Sequence, residues 1–242
     1  MSAQNKRFSM KTIVVTGATK GIGKAICKKF ASGGFSIAIC SRNKQELIET
    51  ATELRDLGSP KVFFKPCDVS NKKAVLDFST KVQEEFGVID VLVNNAGVFI
   101  PGKITEEDDG VLENMIETNL YSAYHITRAL IESIRSSSKG HIFNICSTAS
   151  TMAYDNGGSY CISKFAMLGM SKVLRQELRE QNIKVSSVMP GPTFTSSWAS
   201  SDLPEERFMK AEEIAEIIWT AYHLEGNAVM EEITLRPQLG DI

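Results

Sequence analysis

The sequence lacks the features that mark several classes of protein. Its 242 residues carry a formal charge of −2, so there is no excess of positive charge for nucleic acid or an anionic membrane. It contains no run of about 18 apolar residues, which excludes a typical membrane-spanning helix. Residues 1–10 include two cations but no apolar run, and we interpret them as a flexible N-terminal arm, not a signal peptide.

Cysteine and histidine are scarce and scattered. The five cysteines are odd in number and form no CxxC pair, and the three histidines are isolated. This pattern predicts neither a disulfide framework nor a zinc site, so we expect no metal and a reduced protein in the cytoplasm. Cys146 and Cys161 adjoin candidate catalytic positions but are interpreted as small buried thiols, and His141 as a structural residue.

Short apolar segments alternate with amphipathic segments along the chain. The early apolar segments, such as residues 11–16, are hydrophobic on both faces, as parallel strands covered on both sides must be. The alternation predicts an α/β fold, a Rossmann-type doubly wound parallel sheet of about seven strands with helices on both faces. The crossovers between its strands are expected to be right-handed. Since no linker or repeat interrupts residues 11–242, we expect a single domain there.

The positions of three further helices are predicted from local signals. Ser70 is a suitable N-terminal cap for a helix that runs to about residue 86. Separate helices are predicted over residues 106–116 and 119–135.

A glycine-rich turn separates the first strand from the first helix. Gly17, Gly21 and Gly23 give the spacing G-x-x-x-G-x-G. Glycine lets a ligand approach the backbone closely, and a helix N-terminus offers unpaired N–H groups to an anion. We therefore interpret the turn as a pyrophosphate site for a dinucleotide, although any tight turn also favours glycine.

The end of the second strand bears on the choice between NAD and NADP. An acidic residue there binds the ribose 2′-hydroxyl, whereas an arginine accepts the 2′-phosphate. This chain has Ser41 and Arg42 and no acidic residue before Glu46, while Lys20 adds a cation within the glycine turn. The pattern predicts NADP(H); the alternative is that Arg42 and Lys20 are ordinary surface cations.

Further along, Tyr160 and Lys164 are four residues apart on a predicted helix and so share one face. Free tyrosine titrates near ~10, and a nearby cation favours its phenolate form. Such a pair can transfer protons as general acid and base. Ser147 stands at the end of the preceding predicted strand. Taken alone, the pair could equally be a surface tyrosine and a solvated lysine.

Together these motifs resemble the short-chain dehydrogenase/reductase family. Residues 16–23 (TGATKGIG) resemble its TGxxxGIG motif, residues 94–97 its NNAG motif, and residues 160–164 (YCISK) its YxxxK motif. The resemblance covers residues 11–192, ending with the PG dipeptide at 190–191, and continues more loosely to the tail.

The resemblance implies a catalytic set and a cofactor site. Ser147 would polarise a substrate carbonyl, Tyr160 would donate and recover the proton, and Lys164 would tune the tyrosine and hold the ribose. Asn119 would position a water that passes protons to solvent. The residues implied around NADP(H) are Gly17, Thr19, Lys20, Gly21, Ile22, Gly23, Ser41, Arg42, Asp68, Val69, Asn95, Ala96, Gly97, Tyr160, Lys164, Pro190, Gly191, Thr193 and Thr195.

The substrate is less well specified. By the same resemblance, residues 193–210 form a substrate lid, in which Phe194 and Trp198 either cover a planar substrate or anchor the loop. Tyr154 either touches substrate or packs. The tail and residues 194–198 resemble bacterial members described as sepiapterin reductases, which suggests a pterin side-chain ketone. A 3-oxoacyl thioester and an unassigned carbonyl compound are the alternatives.

Assembly and activity are also implied by the resemblance. Members usually form homodimers or homotetramers through helices that fall here near residues 119–135 and 159–180. An alternative class is a non-catalytic NADP-binding sensor or scaffold, but such proteins typically lose the tyrosine or the lysine, and both are present here. A flavodoxin-like binding domain would leave YxxxK unexplained.

Overall fold

A computed structural model describes residues 10–195 and 202–242, so most of the predicted N-terminal arm, and Trp198 of the predicted lid, lie outside the described residues. Within these ranges one parallel sheet has the strand order β3-β2-β1-β4-β5-β6-β7. Its order reverses between β1 and β4, where doubly wound sheets open a crevice. The predicted fold class is confirmed. The strands are β1 (Thr12–Thr16), β2 (Ser36–Ser41), β3 (Val62–Pro66), β4 (Val91–Asn94), β5 (His141–Ile145), β6 (Lys184–Pro190) and β7 (Glu232–Leu235).

Helices cover both faces of the sheet. They are α1 (Gly21–Ser32), α2 (Lys44–Asp56), α3 (Lys72–Phe86), α4 (Val111–Ile116), α5 (Ser122–Arg135), α6 (Gly158–Leu178) and α7 (Ala211–His223). In β1, Ile13 and Val15 pack toward α1 and α7, whereas Val14 packs toward α3 and α5. This two-sided burial explains why the strand is apolar throughout. Among the described residues, no helix is long and apolar enough to cross a membrane.

The predicted cap at Ser70 is wrong. The side-chain oxygen of Asn71 caps α3 by accepting from the N–H of Ala74 at 3.1 Å. Ser70 instead donates its hydroxyl to the Asp68 carboxylate at 2.8 Å, and its N–H does the same at 3.1 Å. Both residue types cap well, and local sequence cannot rank two adjacent candidates.

The predicted helix over residues 106–116 begins later than expected. Glu106 and Asp109 lie in turns with irregular backbone between them, Gly110 adopts a left-handed conformation with φ of 91°, and α4 starts at Val111. A π-helical turn (Glu117–Tyr121) then joins α4 to α5, so the two predicted helices are continuous. Such a turn is often found at functional sites, and here it carries Asn119.

Buried amides connect β4 and β5 to the helices beside them. Asn94 donates to Asn144 at 2.7 Å and to the Thr127 hydroxyl at 3.0 Å. Asn144 in turn donates to the Ser171 hydroxyl of α6 at 2.6 Å. These bonds join the central strands to α5 and α6, and so they hold the strand ends in register beneath the site.

His141 is a structural residue, as the sequence suggests. It is 1% exposed, its Nε2 pairs with the Ser186 hydroxyl at 2.8 Å, and its ring stacks on Phe143. Burial lowers the pKa of His141 from 6.5 to about 3, and Lys184 and Lys139 add to this effect. The ring is therefore neutral in the folded protein well below the pH at which it protonates in an unfolded chain.

We expect His141 to make the protein acid-sensitive. Between about pH 6.5 and 3 the unfolded chain binds a proton at this residue that the folded chain does not, so stability falls as pH falls. The loss should be on the order of 2 kcal/mol by pH 5. Urea unfolding at pH 7 and pH 5 measures it. The variant His141→Gln should show a shallower slope; an equal slope in both proteins would assign the acid sensitivity elsewhere.

Candidate active site

A cavity of about 640 Å³ opens at the carboxyl ends of the strands, where the strand order reverses. It runs from the glycine turn after β1 to the start of α6. Most of the residues that the sequence assigned to the site line it: Gly17, Lys20, Gly21, Ile22, Ser41, Arg42, Asp68, Val69, Asn95, Ala96, Gly97, Ser147, Tyr154, Tyr160, Lys164, Pro190, Gly191, Thr193 and Thr195. Four others, Thr19, Gly23, Asn119 and Phe194, do not line this cavity.

The glycine turn is held against the end of β4. The side chain of Asn95 donates to the carbonyl oxygens of Thr16 at 2.8 Å and Gly17 at 3.0 Å. The Thr16 hydroxyl accepts from the N–H groups of Asn95 and Ala96, each at 3.0 Å. A Cβ on Gly23 would lie 2.4 Å from the Asn95 amide nitrogen, so Gly23 serves this packing from behind the cavity wall.

The first helix presents its N-terminus to the cavity. Gly17 and Gly21 have φ of +64° and +50°, a region that side chains rarely adopt, and this turns the chain into α1. Lys20 precedes the helix and makes no side-chain cap. The first N–H groups of α1 are thus not paired by a capping side chain, as a phosphate-binding helix start requires.

Lys20 and Arg42, the two cations at this end of the cavity, differ in their surroundings. Lys20 forms an ion pair with Glu46 at 2.9 Å, and this hydrogen bond is the main reason why the pKa of Glu46 is lowered. Arg42 lines the cavity and forms no ion pair among the described residues. Thr19 donates its hydroxyl to the Ser41 hydroxyl at 3.1 Å. Arg42 and Ser41 therefore offer the donors at this end of the cavity, while Glu46 offsets the charge of Lys20.

Tyr160 and Lys164 lie in the first two turns of α6, as predicted. The Lys164 ammonium lies 5.7 Å from the centre of the Tyr160 ring and donates to the carbonyl of Ile145, at the end of β5, at 2.9 Å. Lys164 is only 5% exposed. A nearly buried ammonium needs such a partner, and the bond places its charge beside the phenol ring.

Ser147 lies on the same cavity wall, just after β5. Its hydroxyl oxygen accepts from the N–H of Ala149 at 3.1 Å, and its own N–H donates to the Ser150 hydroxyl at 3.2 Å. These bonds orient the side chain. Because the oxygen acts as acceptor, its hydrogen can be donated to a ligand oxygen in the cavity.

Asn119 lies behind the cavity wall and does not line the cavity. It is 1% exposed, and its side chain accepts from the Val98 N–H at 2.7 Å and donates to the Val98 carbonyl at 3.0 Å. It also donates to the Ser163 hydroxyl at 2.9 Å. The side chain thereby joins the segment after β4 to the helix that carries Tyr160.

Two other polar groups, one near Tyr160 and one near Lys164, are protonated at neutral pH. Burial raises the pKa of the Tyr154 phenol, although the residue as a whole is 43% exposed, and Tyr160 and Cys161 add to the effect. Burial also raises the pKa of the Cys146 thiol, against the opposing effect of Lys164. Neither group is a base at neutral pH, and the buried thiols of Cys146 and Cys161 agree with the sequence interpretation.

Several residues that contribute to the site were not predicted from the sequence. The ring of Phe99 meets the Tyr160 ring edge-on with centroids 4.9 Å apart. Glu107 accepts from the N–H of Ser159 at 2.9 Å and also from its hydroxyl, so a carboxylate caps the start of α6. Other lining residues missed include Asn114, Thr118, Met152, Asp241 and Ile242. Phe99 follows NNAG closely and could have been found; the others depend on distant segments.

The described ends of the predicted lid are bonded to each other, and its first residues line the cavity. Phe194 donates its N–H to the Met209 carbonyl at 2.8 Å, and Met209 donates to the Pro192 carbonyl at 3.0 Å. Phe194 packs against Phe208 with ring centroids 5.6 Å apart. The two ends of the segment are thus joined beside Thr193 and Thr195, which line the cavity.

Comparisons with known proteins agree with this geometry. The model of the family described as short chain dehydrogenase matches residues 11–206. Sepiapterin reductase of Chlorobaculum tepidum is 33% identical over 238 residues, which cover 95% of this chain and 97% of that protein.

Solved structures are also similar. An alcohol dehydrogenase from Thermococcus sibiricus, complexed with 5-hydroxy-NADP, has a TM-score of 0.88 at 31% identity, covering 95% of this chain and 97% of that one. A variant of actinorhodin polyketide ketoreductase with NADPH has a TM-score of 0.85 at 27% identity, covering 100% of both chains.

Proposed function

The chain belongs to the short-chain dehydrogenase/reductase family, and we propose that it uses NADP(H) to interconvert a carbonyl compound and its alcohol. The observation that carries this proposal is a single cavity with two chemically different ends. One end has a glycine turn and an uncapped helix start, and the other has Ser147, Tyr160 and the nearly buried Lys164.

The residues present suit NADP(H). A Cβ on Gly17 would lie 3.0 Å from the Cα of Ala96, so glycine at this position lets the turn pack closely on the chain after β4 while its backbone lines the cavity. The start of α1 would hold the pyrophosphate, Asp68 and Val69 the adenine, and Lys164 the ribose near the nicotinamide. Asn95, Ala96 and the backbone of the PG dipeptide at 190–191 would line the remaining length.

Arg42 favours NADP(H) over NAD(H). As a planar donor it suits a phosphate, and no carboxylate neutralises it among the described residues. Glu46 lies close enough to pair with Lys20 and so reduces the contribution of that second cation. We therefore assign the 2′-phosphate to Arg42, with Ser41 as the neutral donor beside it.

We expect Arg42→Gln to weaken NADPH binding by about 10–100-fold, the value for losing hydrogen bonds to a charged group. NADH binding should change little, because NADH lacks the phosphate. Fluorescence titration with both cofactors measures the two affinities. Lys44→Gln, at a cation on α2 that does not line the cavity, is the matched control. Equal losses for NADPH and NADH in Arg42→Gln would contradict the assignment.

When bound, NADP(H) supplies or accepts the hydride. The chain polarises the substrate and moves the proton. Ser147 donates to the substrate oxygen, which stabilises the charge that develops there, and Tyr160 donates its proton to the same oxygen in reduction. In oxidation Tyr160 takes the proton back. Lys164 places a positive charge beside the phenol, and Asn119 keeps the segment after β4 and α6 in fixed relation.

Similarity to a sepiapterin reductase supports a pterin side-chain ketone as substrate, with a 3-oxoacyl thioester as the second candidate. Phe99, Met152 and Tyr154 give the catalytic end an apolar and aromatic wall that suits a planar ring. Steady-state rates with NADPH on sepiapterin, acetoacetyl thioester and simple diketones distinguish the candidates. No turnover of sepiapterin would exclude the first, and no turnover of any carbonyl would favour a non-catalytic cofactor-binding protein.

Assembly, location and domain organisation complete the proposal. α5 and α6 expose apolar side chains, including Tyr124, Phe165 and Val173, which suit a homodimer or homotetramer interface. The five free cysteines suit a cytoplasmic protein. Residues 11–242 are proposed as one domain with 193–210 as its substrate lid. Light scattering of the purified chain measures the assembly, and a monomer would overturn that part.

A further inference from the structure

Two cysteines meet beneath the end of the cavity that holds Arg42. Cys40 is the penultimate residue of β2, and Cys67 follows β3 directly. We propose that Cys67 is a peroxide-reactive thiol that Cys40 resolves, so that a reversible Cys40–Cys67 disulfide weakens cofactor binding. The oxidation itself rests only on the two thiols, whereas its effect on binding rests on the proposed cofactor site.

The two side chains lie together on one face of the sheet. Both belong to the same core cluster, and the N–H of Cys67 donates to the carbonyl of Ser41 at 2.9 Å. The register pairs Cys40 of β2 with Lys65 of β3, so Cys67 lies two residues further along the neighbouring strand and its side chain points to the same face as that of Cys40. Cys67 lines the cavity, and Cys40 does not. A small oxidant in the cavity therefore reaches Cys67 first, and Cys40 lies on the neighbouring strand, on the same face of the sheet.

Charge favours Cys67 as the reactive group. The hydrogen bond from Cys40 lowers the pKa of the Cys67 thiol, burial opposes this, and Lys65 adds a smaller lowering effect. The pKa of Cys40 is raised, first by the same hydrogen bond and then by burial. Burial alone raises the pKa of Cys27. Because the thiolate is the nucleophile, Cys67 should react ahead of these other thiols.

The chemistry needs only a hydroperoxide as oxidant. The Cys67 thiolate attacks one peroxide oxygen, forming an S–O bond as the O–O bond breaks and hydroxide leaves, which gives sulfenic acid. The Cys40 sulfur then attacks Cys67, forming the S–S bond; the hydroxyl leaves with the Cys40 proton as water. The hydroxide from the first step takes up the proton that Cys67 lost, so in total two thiols lose two electrons and two protons, and one hydrogen peroxide becomes two waters.

The backbone around the pair explains the effect on binding. The carbonyl of Cys40 accepts from the N–H groups of Gly17 at 3.0 Å and Ala18 at 3.3 Å, and so it supports the glycine turn. Cys67 immediately precedes Asp68, which lines the cavity. Drawing the two sulfurs into a bond displaces both segments. We expect a roughly tenfold weaker NADPH affinity, the value for losing one or two neutral hydrogen bonds.

The test treats the reduced, cofactor-free protein with stoichiometric hydrogen peroxide. Intact mass should fall by about 2 Da with a Cys40–Cys67 link in the peptide map, and dithiothreitol should restore both mass and NADPH affinity. Saturating NADP should slow the reaction, because the cofactor covers Cys67. A link that forms without any loss of NADPH affinity would overturn the switch. Reduced protein that binds no NADPH would instead overturn the proposed function, while the link remains measurable.

Single replacements assign the two roles. In Cys40→Ala, peroxide should leave a sulfenic acid on Cys67 that dimedone traps, with no disulfide. Cys27→Ser, in the core away from the cavity, is the matched control and should form the link as the natural chain does. Labelling of the natural chain by a thiol reagent needs no variant. Equal labelling rates at Cys67 and Cys27 would overturn the proposal.

Discussion

Replacing Tyr160 by phenylalanine is expected to lower kcat by about 10³-fold while NADPH affinity stays within about twofold. The change removes only the hydroxyl. The ring remains, and with it the edge contact to Phe99 and the position beside the Lys164 ammonium. Proton transfer to the substrate oxygen then has no positioned donor. Stopped-flow reduction of whichever carbonyl proves active, together with NADPH titration, measures both quantities.

Tyr154→Phe is the matched control, because Tyr154 lines the same cavity and loses the same atom. Its elevated pKa makes it unsuited to proton transfer at neutral pH, so its kcat should stay within about tenfold of the natural chain. If Tyr160→Phe retained as much turnover as Tyr154→Phe, another group would be the acid.

Replacing Gly23 by alanine is expected to disrupt the cofactor end of the cavity. The new methyl would lie 2.4 Å from the Asn95 amide nitrogen and 2.5 Å from the Gly17 carbonyl oxygen, far inside contact distance. Since Asn95 holds the glycine turn, the turn must shift. We expect a loss of about 1–3 kcal/mol in the free energy of unfolding and at least tenfold in NADPH affinity.

Gly169→Ala provides the comparison within the same protein. Gly169 lies in α6, and no atom lies within 4 Å of the position where a Cβ would be. Alanine there should raise the free energy of unfolding by up to about 1 kcal/mol and leave NADPH affinity unchanged. Urea unfolding and cofactor titration of both variants decide the matter. Unaltered NADPH affinity in Gly23→Ala would show that the turn tolerates the displacement.

The sheet and the general position of the site follow from local pattern. Apolar runs such as residues 12–16 are buried on both sides, and this leaves a clear signal in the sequence. The turn at residues 17–23 and the pair Tyr160 and Lys164 are also local in sequence. Their places at the carboxyl ends of the strands then follow from the alternation of strand and helix.

Pairings between distant residues could not be read from the sequence. Lys20 and Arg42 look alike there, and only the structure places Glu46 against Lys20 and leaves Arg42 at the cavity. Asp241 enters the cavity wall from the far end of the chain. Such contacts depend on tertiary geometry, for which hydrophobic periodicity carries no information.

The carboxylate of Glu107 has a consequence for how firmly the phenol of Tyr160 is held. It binds both donors of Ser159 at the start of α6, one residue before Tyr160. Moving the segment around Glu107 away from α6 would remove an anion from a positively polarised helix start and leave those donors unpaired. The turns between β4 and α4 therefore help to fix the residue that follows Ser159, although they lie far from it in the sequence.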